Sequence, residues 1–401
     1  MLIAVHRGAD AFDVAVQPLD GSGRRILVKD AFEGRYAPTG HLLFARGAVL
    51  FAAPFDANRL ELTGQAVAMI EDLATRPGSG TASYRLSADG SLAYVRAPSL
   101  QGRRIVWVDR RGAVERLPVG PRGFGAPSLS PDGRRVALQI DEASRRDIWI
   151  YEFDTEALTR VTFDGASAAP IWTPDGQRIV FSSTKDGRRQ IYWQSADGRG
   201  QAELLVADEH SVWAGSWSAD RQTLAYTRQP PTDLNDVALL RLGEGTSGSL
   251  FLSSQAQEQW PHISPDGHWL AYMSTETGRD EIYVTSLSGS GMKRQISLDG
   301  GGQPVWSRDE KELFYRNGDR FMVVSVASLP ASFGKPVALP IPVRSATGRH
   351  EYFGHPGYDV SPDGRLLIVE QAQEEAAPGE IQIVLNWFEE LKRRVPNASS
   401  R

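Results

Sequence analysis

Seven histidines, a recurring aspartate and a set of paired arginines are the residues whose chemistry has to be weighed first. His350 and His355 share the loop 344–357, with His262 and Asp359 as candidate neighbours, so a zinc site or a His/Asp catalytic cluster has to be weighed there. The spacing is not HExxH and no helix is expected in that loop, so these read as ordinary loop histidines and no metal or cofactor is assigned. GEGTSG at 243–248 matches GxGxxG in form. It lies between two strand-like segments with no helix N-terminus to hold a phosphate, so it reads as a hairpin turn. Arginines recur just before one strand of each repeat, as Arg103 and Arg104, Arg145 and Arg146, Arg188 and Arg189, and Arg279. A ring of guanidinium groups would suit carboxylates or phosphates. Asp141, Glu142, Asp186 and Glu276 stand in the same loops, and pairing with them is the stronger expectation.

The aspartates belong to a repeated tetrapeptide. SPDG stands at 130–133, 264–267 and 361–364, with variants TPDG (173–176), SADG (87–90), SADR (218–221), SRDE (307–310) and APTG (37–40). Copies follow one another every 43–54 residues, the length of a four-stranded blade. Ser caps the turn, Pro presets φ, Asp tolerates the bridge region and Gly takes the left-handed conformation that returns the chain. A calcium loop would need several carboxylates within a dozen residues, and no copy has them.

Around each tetrapeptide runs one order of strands. A short first strand precedes it (APSLS, APIWT, AGSWS, WPHIS, QPVWS) and a second follows (RVALQI, RIVFSS, TLAYTR, WLAYMS, ELFYRN). A polar loop, a third strand and a fourth complete the unit. Trp172, Trp217 and Trp306 hold equivalent places on first strands and are expected to pack between blades.

The expected fold is an all-β, closed propeller of four-stranded antiparallel blades, about eight of them, with seven or six plus a partial unit as alternatives. One domain is drawn over residues 1–391, with 1–29 a partial blade completing or abutting the last one and 392–401 a polar tail. The strand surplus at that junction also admits a fragment of a longer protein.

With 44 basic against 49 acidic side chains the chain is mildly acidic, and a nucleic-acid partner has no electrostatic support. The absence of cysteine excludes disulfides, Cys-ligated zinc and a thiol nucleophile. No signal peptide or span of apolar residues is evident, so the sequence as written reads as cytoplasmic, or as extracytoplasmic if it is part of a membrane-anchored protein.

The repeat resembles the TolB-type, WD-like propeller repeat over nearly the whole chain. Segments 41–67, 104–112 and 381–394 resemble propeller regions appended to bacterial eukaryotic-like Ser/Thr kinases. That resemblance implies a non-enzymatic sensor or scaffold module that binds a protein or peptide. The kinase motifs themselves are missing, as is the GxSxG elbow of propeller-capped peptidases. A monomer with a protein or peptide ligand, acidic or not, and no membrane insertion is expected. The alternatives are a propeller lyase or hydrolase with a His/Asp channel site, or a piece of a larger membrane-bound kinase. Loops 76–82, 120–126, 207–214, 254–260, 299–303 and 344–357 form the expected binding face. Trp213, Trp260, Gln303 and His355 are its candidate side chains, with Arg146, Arg189 and Arg279 as the basic ring.

Overall fold

The structure is a computed structural model describing residues 1–401 except 9–10, 19–22, 72, 77–79, 97–101, 143–144, 231–233, 289–290, 329–331, 343–344, 346–354, 372–380 and 397–401. The chain divides into two compact units, one of Leu100–Ala372 and one of Met1–Ser99 with Gln373–Arg401.

In Leu100–Ala372 the strand pattern gives six sheets of the expected order. The first blade is Phe124–Leu129, Arg135–Glu142, Arg145–Glu152 and Leu158–Arg160. The second is Ser167–Trp172, Arg178–Ser183, Gln190–Ser195 and Glu203–Val206. The third runs Ser211–Trp217, Thr223–Gln229, Asp236–Arg241 and Ser249–Leu252. The fourth is Glu258–Ile263, Trp269–Ser274, Glu281–Ser286 and Lys293–Gln295. Gly302–Trp306, Glu312–Asn317 and Arg320–Ser328 begin the fifth, whose outer side is Ser332–Phe333 and Val337–Ala338. The sixth is assembled from both ends of the unit. Tyr358–Val360 and Leu366–Gln371 are its inner strands, and Arg103–Val108 and Val114–Arg116 its outer ones.

Six apolar clusters, one at each junction between successive blades, close this ring. Val136, Leu138 and Ile140 pack on Ile105, Trp107 and Leu367 between the first and sixth blades. Ile148 and Ile150 lie under Trp172, Ile179 and Phe181 of the second. The remaining four junctions repeat the arrangement. Each fully buried aliphatic or aromatic side chain contributes roughly 1.5–3 kcal/mol. A closed ring also leaves no blade face exposed to template aggregation.

Residues 1–29 do not complete the last blade. Leu2–Gly8, Ala11–Val16 and Arg25–Val28 form a three-stranded sheet of their own. The sequence order of strands misled here because two third strands are exchanged. Arg103–Val108, which follows the SADG copy, pairs with Leu366–Gln371. Ile381–Val384, which follows the last SPDG copy, pairs with Leu92–Val95 beside the SADG turn. Arg103–Val108 suits a fully covered strand. Ile105 and Trp107 face the first blade while Val106 and Val108 face the fifth.

The other unit stacks that N-terminal sheet, a sheet of Phe32–Ala37, His41–Arg46 and Val49–Asp56, and a sheet of Tyr84–Leu86, Leu92–Val95 and Ile381–Val384. Glu61–Leu62 and Val67–Ile70 both pair with Val49–Asp56, and Thr75–Arg76 forms a small hairpin with Thr81–Ala82. Val14 and Val28 pack on Leu42, Phe44 and Ala53, and Leu43 and Leu50 on Tyr84 and Leu92. Part of the expected polar tail is instead structured. Helix Trp387–Arg394 buries Trp387 and Leu391, and Val395 follows them into the same core. The Trp387 amide donates to Gly90 O (2.8 Å), and His41 Nε2 contacts Val395 O (2.6 Å).

The tetrapeptide turns behave as their chemistry dictates. Ser130 and Thr173 donate to Asp132 (2.5 Å) and Asp175 (2.6 Å), and each carboxylate also accepts the backbone N–H two residues on. Gly133, Gly176 and Gly267 have φ near +70°. Arg221 and Glu310 hold the same left-handed conformation, at φ 64° and 61°, without being glycine. Glu310→Gly should therefore raise the unfolding free energy by about 0.5–1 kcal/mol in urea titration, since left-handed backbone strains a residue with a Cβ. GEGTSG is a hairpin connection, with Gly243 and Gly245 at positive φ between Asp236–Arg241 and Ser249–Leu252.

Candidate functional site

Each first strand ends at a tetrapeptide turn, so its last two residues face the ring axis at one mouth. Those pairs are Ser128–Leu129, Ile171–Trp172, Ser216–Trp217, His262–Ile263, Val305–Trp306 and Asp359–Val360, and all twelve line one cavity. The second residues of five turns, Pro131, Pro174, Ala219, Pro265 and Arg308, form its rim, and the cavity holds about 290 Å³.

The inner strands have no further strand to pair with, so their amides need other acceptors. Residues two before the turn supply them from one blade to the next. Asp359 accepts the Leu129 N–H (2.7 Å) and its own neighbour's, that of Val360 (2.7 Å). Ser216 Oγ accepts from Ile263 (2.7 Å), and His262 Nδ1 is approached by the Trp306 amide (3.5 Å). The indoles continue the pattern. Trp172 Nε1 donates to Ser128 O (2.9 Å) and Trp306 Nε1 to His262 O (3.0 Å). The tryptophans thus pack between blades, as expected, and also wall the cavity. At the second junction the equivalent residue is Ile171, whose side chain has no acceptor, and the buried Trp217 Nε1–H has no partner among the described residues.

Arg308 reaches across the mouth from the fifth blade to the first. Its guanidinium donates to Ser130 O (2.9 Å), to Pro131 O and, more weakly, to Leu129 O (3.4 Å). Asp359 titrates above the ordinary carboxylate range because burial disfavours its charge, and Arg308 partly offsets this. Burial lowers both His262 and His355 to about 4, with His355 adding to the effect at His262. Both are neutral at pH 7, and His355 Nδ1 donates to Pro356 O (2.5 Å).

Of the seven residues singled out from sequence, only His355 lines this cavity. Trp260 is 2% exposed and sits among Ile282, Val284, Trp306 and Tyr315 between the fourth and fifth blades. The reason is a bulge four residues before the turn. Ala126, Ala169, Trp260 and Gln303 all take positive φ there, which turns the strand and sends Trp260 into the junction. Gln303 is buried and accepts from the Gly357 amide (3.4 Å). Trp213 is buried beneath Arg189, whose guanidinium lies 5.5 Å from the ring centroid. Arg146 pairs with Asp141 (2.7 Å), as the acidic residues in its loop suggested. Arg279 pairs with Glu281 (2.7 Å) rather than Glu276, which is taken by Lys293. The expected basic ring is therefore a set of ion pairs and a ring stack. His350 and much of loop 344–357 lie outside the described residues.

The cavity brings His262 and Asp359 together with His355, the neighbours weighed for it from sequence, and the residue missed was Arg308. Aligning the copies two places before the turn gives Ser128, Ile171, Ser216, His262, Val305 and Asp359, and polar residues in so apolar a strand were the available signal.

A family model described as the TolB beta propeller domain (PD40) matches residues 80–310, more than half of the chain. The chain belongs to the TolB beta propeller family. Among curated TolB relatives, the Tol-Pal system protein TolB of Francisella tularensis subsp. tularensis is 30% identical over 191 residues, covering 45% of this chain. An uncharacterised protein of Agrobacterium fabrum is 27% identical over 179 residues, covering 43% of this chain and 58% of its own. The chain spans 43% of the length of the Francisella relative. In fold it is similar to a putative TolB from Agrobacterium tumefaciens (TM-score 0.54, 18% identity), over 67% of this chain and 97% of that one. Among the described residues of this TolB-family chain no helix is long and apolar enough to cross a membrane.

Proposed function

We propose that the six-bladed ring is a non-enzymatic binding module that captures an extended polypeptide segment at the mouth rimmed by the tetrapeptide turns. The observation that carries this reading is the composition of the cavity. Apolar walls from Leu129, Ile171, Ile263, Val305 and Val360 converge with a few polar groups, Asp359, His262, Arg308 and a Trp217 N–H that has no partner among the described residues. That is the make-up of a recognition pocket on a rigid scaffold. A relative carries the name Tol-Pal system protein TolB, and a place in a system named for proteins favours a polypeptide ligand over a small molecule. The preference for an acidic ligand loses its basis, because Arg146 and Arg279 are ion-paired away from this mouth. A sensor or scaffold role of the kind linked to kinases is the setting in which such capture would act.

Linear peptides selected by phage display on the wild-type chain provide the test. Trp217→Phe removes the indole N–H together with part of the ring and should weaken the selected peptides about fivefold or more, one hydrogen bond being worth about 1 kcal/mol. Arg279→Ala, on the opposite mouth, should leave affinity within about twofold, as expected of a residue outside the contact. Affinity lost in Arg279→Ala and kept in Trp217→Phe would move the site to the other face.

A further inference from the structure

Among the described residues each of the six blades ends at its outer strand. The far edge of such a strand is a template for another chain unless a charge or a proline guards it. Five of the six edges are guarded. Arg160 ends Leu158–Arg160, Glu203 opens Glu203–Val206, Lys293 and Arg294 open Lys293–Gln295, and Glu115 and Arg116 complete Val114–Arg116. Val337–Ala338 is flanked by Lys335, Pro336 and Pro340. Ser249–Leu252 of the third blade has no such residue, and the run 246–257 around it holds neither a charge nor a proline.

This edge is formed rather than frayed. Ser249, Leu250 and Leu252 pair with Leu239, Ala238 and Val237 of the third strand. Gly248, just before it, lies so close to Tyr226 and the Leu239 carbonyl that no Cβ fits there. Thr246 O accepts the Ala207 N–H of the second blade (2.9 Å), so the end of the GEGTSG connection is tied down as well. Phe251 and Leu252 lean inward on the junction with the fourth blade. Leu250 is 51% exposed, and Ser249 beside it is exposed too.

Charge decides what can pair there. In an antiparallel pair related by a two-fold axis, each strand faces its own copy. Leu158–Arg160 or Lys293–Gln295 would bring arginine or lysine beside its own like, which is unfavourable. Ser249–Leu252 would bring only serine, leucine and phenylalanine together. Of the six edges it alone meets its own copy without like charges or a flanking proline.

We propose that two copies of the chain join edge to edge at Ser249–Leu252, extending the third blade from four strands to eight across a two-fold axis. The contact is isologous and uses the edge of both copies, so association stops at a dimer. Main-chain hydrogen bonds supply its affinity, and Leu250 supplies the apolar contact. The monomer expected from sequence is then half of the unit in solution.

Light scattering during gel filtration of the 401-residue chain, from about 1 to 100 µM in line with micromolar association, tests this. Wild type should approach twice the 44.0 kDa chain mass with rising concentration. Leu250→Lys and Leu250→Glu should each stay at the chain mass, with an unchanged melting midpoint because the side chain is already half exposed. Mixed in equal amounts they should dimerise, since opposite charges then meet across the axis. Hydrogen exchange in 249–252 of wild type should slow as concentration rises, a reading that needs no variant. Wild type at the chain mass throughout, open-ended growth, a dimer that survives Leu250→Lys, or one lost instead in Ile383→Lys would overturn the proposal.

Discussion

Acidification from pH 7 to pH 4 should destabilise the six-bladed ring by several kcal/mol, with His262 and His355 as the main cause. Both titrate near 4 in the folded chain and near 6.5 when unfolded. A folded pKa below the unfolded one means that the unfolded chain takes up protons first. The stability these groups contribute is thus present above about pH 6.5 and is lost as pH falls toward 4. Moving from 6.5 to about 4 corresponds to roughly 3 kcal/mol for a fully buried group, and less for His262, which shares the cavity with solvent. Asp359 opposes this trend. Its raised pKa favours the folded state as it protonates, and that contribution is lost again as pH rises through its folded value. The turn aspartates add a second, lower step. Asp132 and Asp175 are held below the usual range by their Ser130 and Thr173 hydroxyls, so their contribution is lost only below about pH 4. Urea unfolding across pH 7 to 4 should show the loss, and His355→Gln should flatten the upper part of it. A profile unchanged by His355→Gln would place the acid sensitivity elsewhere.

Trp260→Ala should cost about 3–5 kcal/mol, the range for emptying an aromatic site in a packed interior. The side chain fills the junction between the fourth and fifth blades, and Gly302 sits close against its ring. Peptide affinity of the fraction that remains folded should be unchanged, because Trp260 packs into the junction between blades and does not line the cavity. Urea titration checks the first statement and peptide affinity at low temperature the second. A variant of wild-type stability that lost binding would restore Trp260 to the recognition surface.

These two residues mark what could be read from sequence. The tetrapeptide carries its own mechanics, so the Ser–Pro–Asp–Gly turns, the blade length and the order of strands were legible without a structure. Which third strand joins which second strand was not. Arg103–Val108 and Ile381–Val384 have the same apolar pattern, and only tertiary pairing distinguishes them. Trp260 was read as part of loop 254–260 on the binding face, whereas it lies in strand Glu258–Ile263, where a bulge at positive φ turns it into the blade junction. Of the arginines expected to pair with carboxylates in their own loops, Arg146 does so with Asp141, while Arg279 pairs with Glu281 and Arg189 stacks on Trp213. His262 and Asp359 were weighed from sequence as neighbours of His355, but only as possible ligands. Their meeting in one cavity depends on first strands 97 residues apart in sequence being brought around the ring axis.

The most direct test of the central claim is a hydrogen-exchange footprint of a selected peptide bound to the full chain. The cavity at the turn-bearing mouth predicts slowed exchange in 128–135, 171–178, 215–222, 262–269 and 305–312, with 141–147, 184–190 and 275–281 unchanged. Protection confined to the second group would place recognition on the opposite mouth and contradict this account.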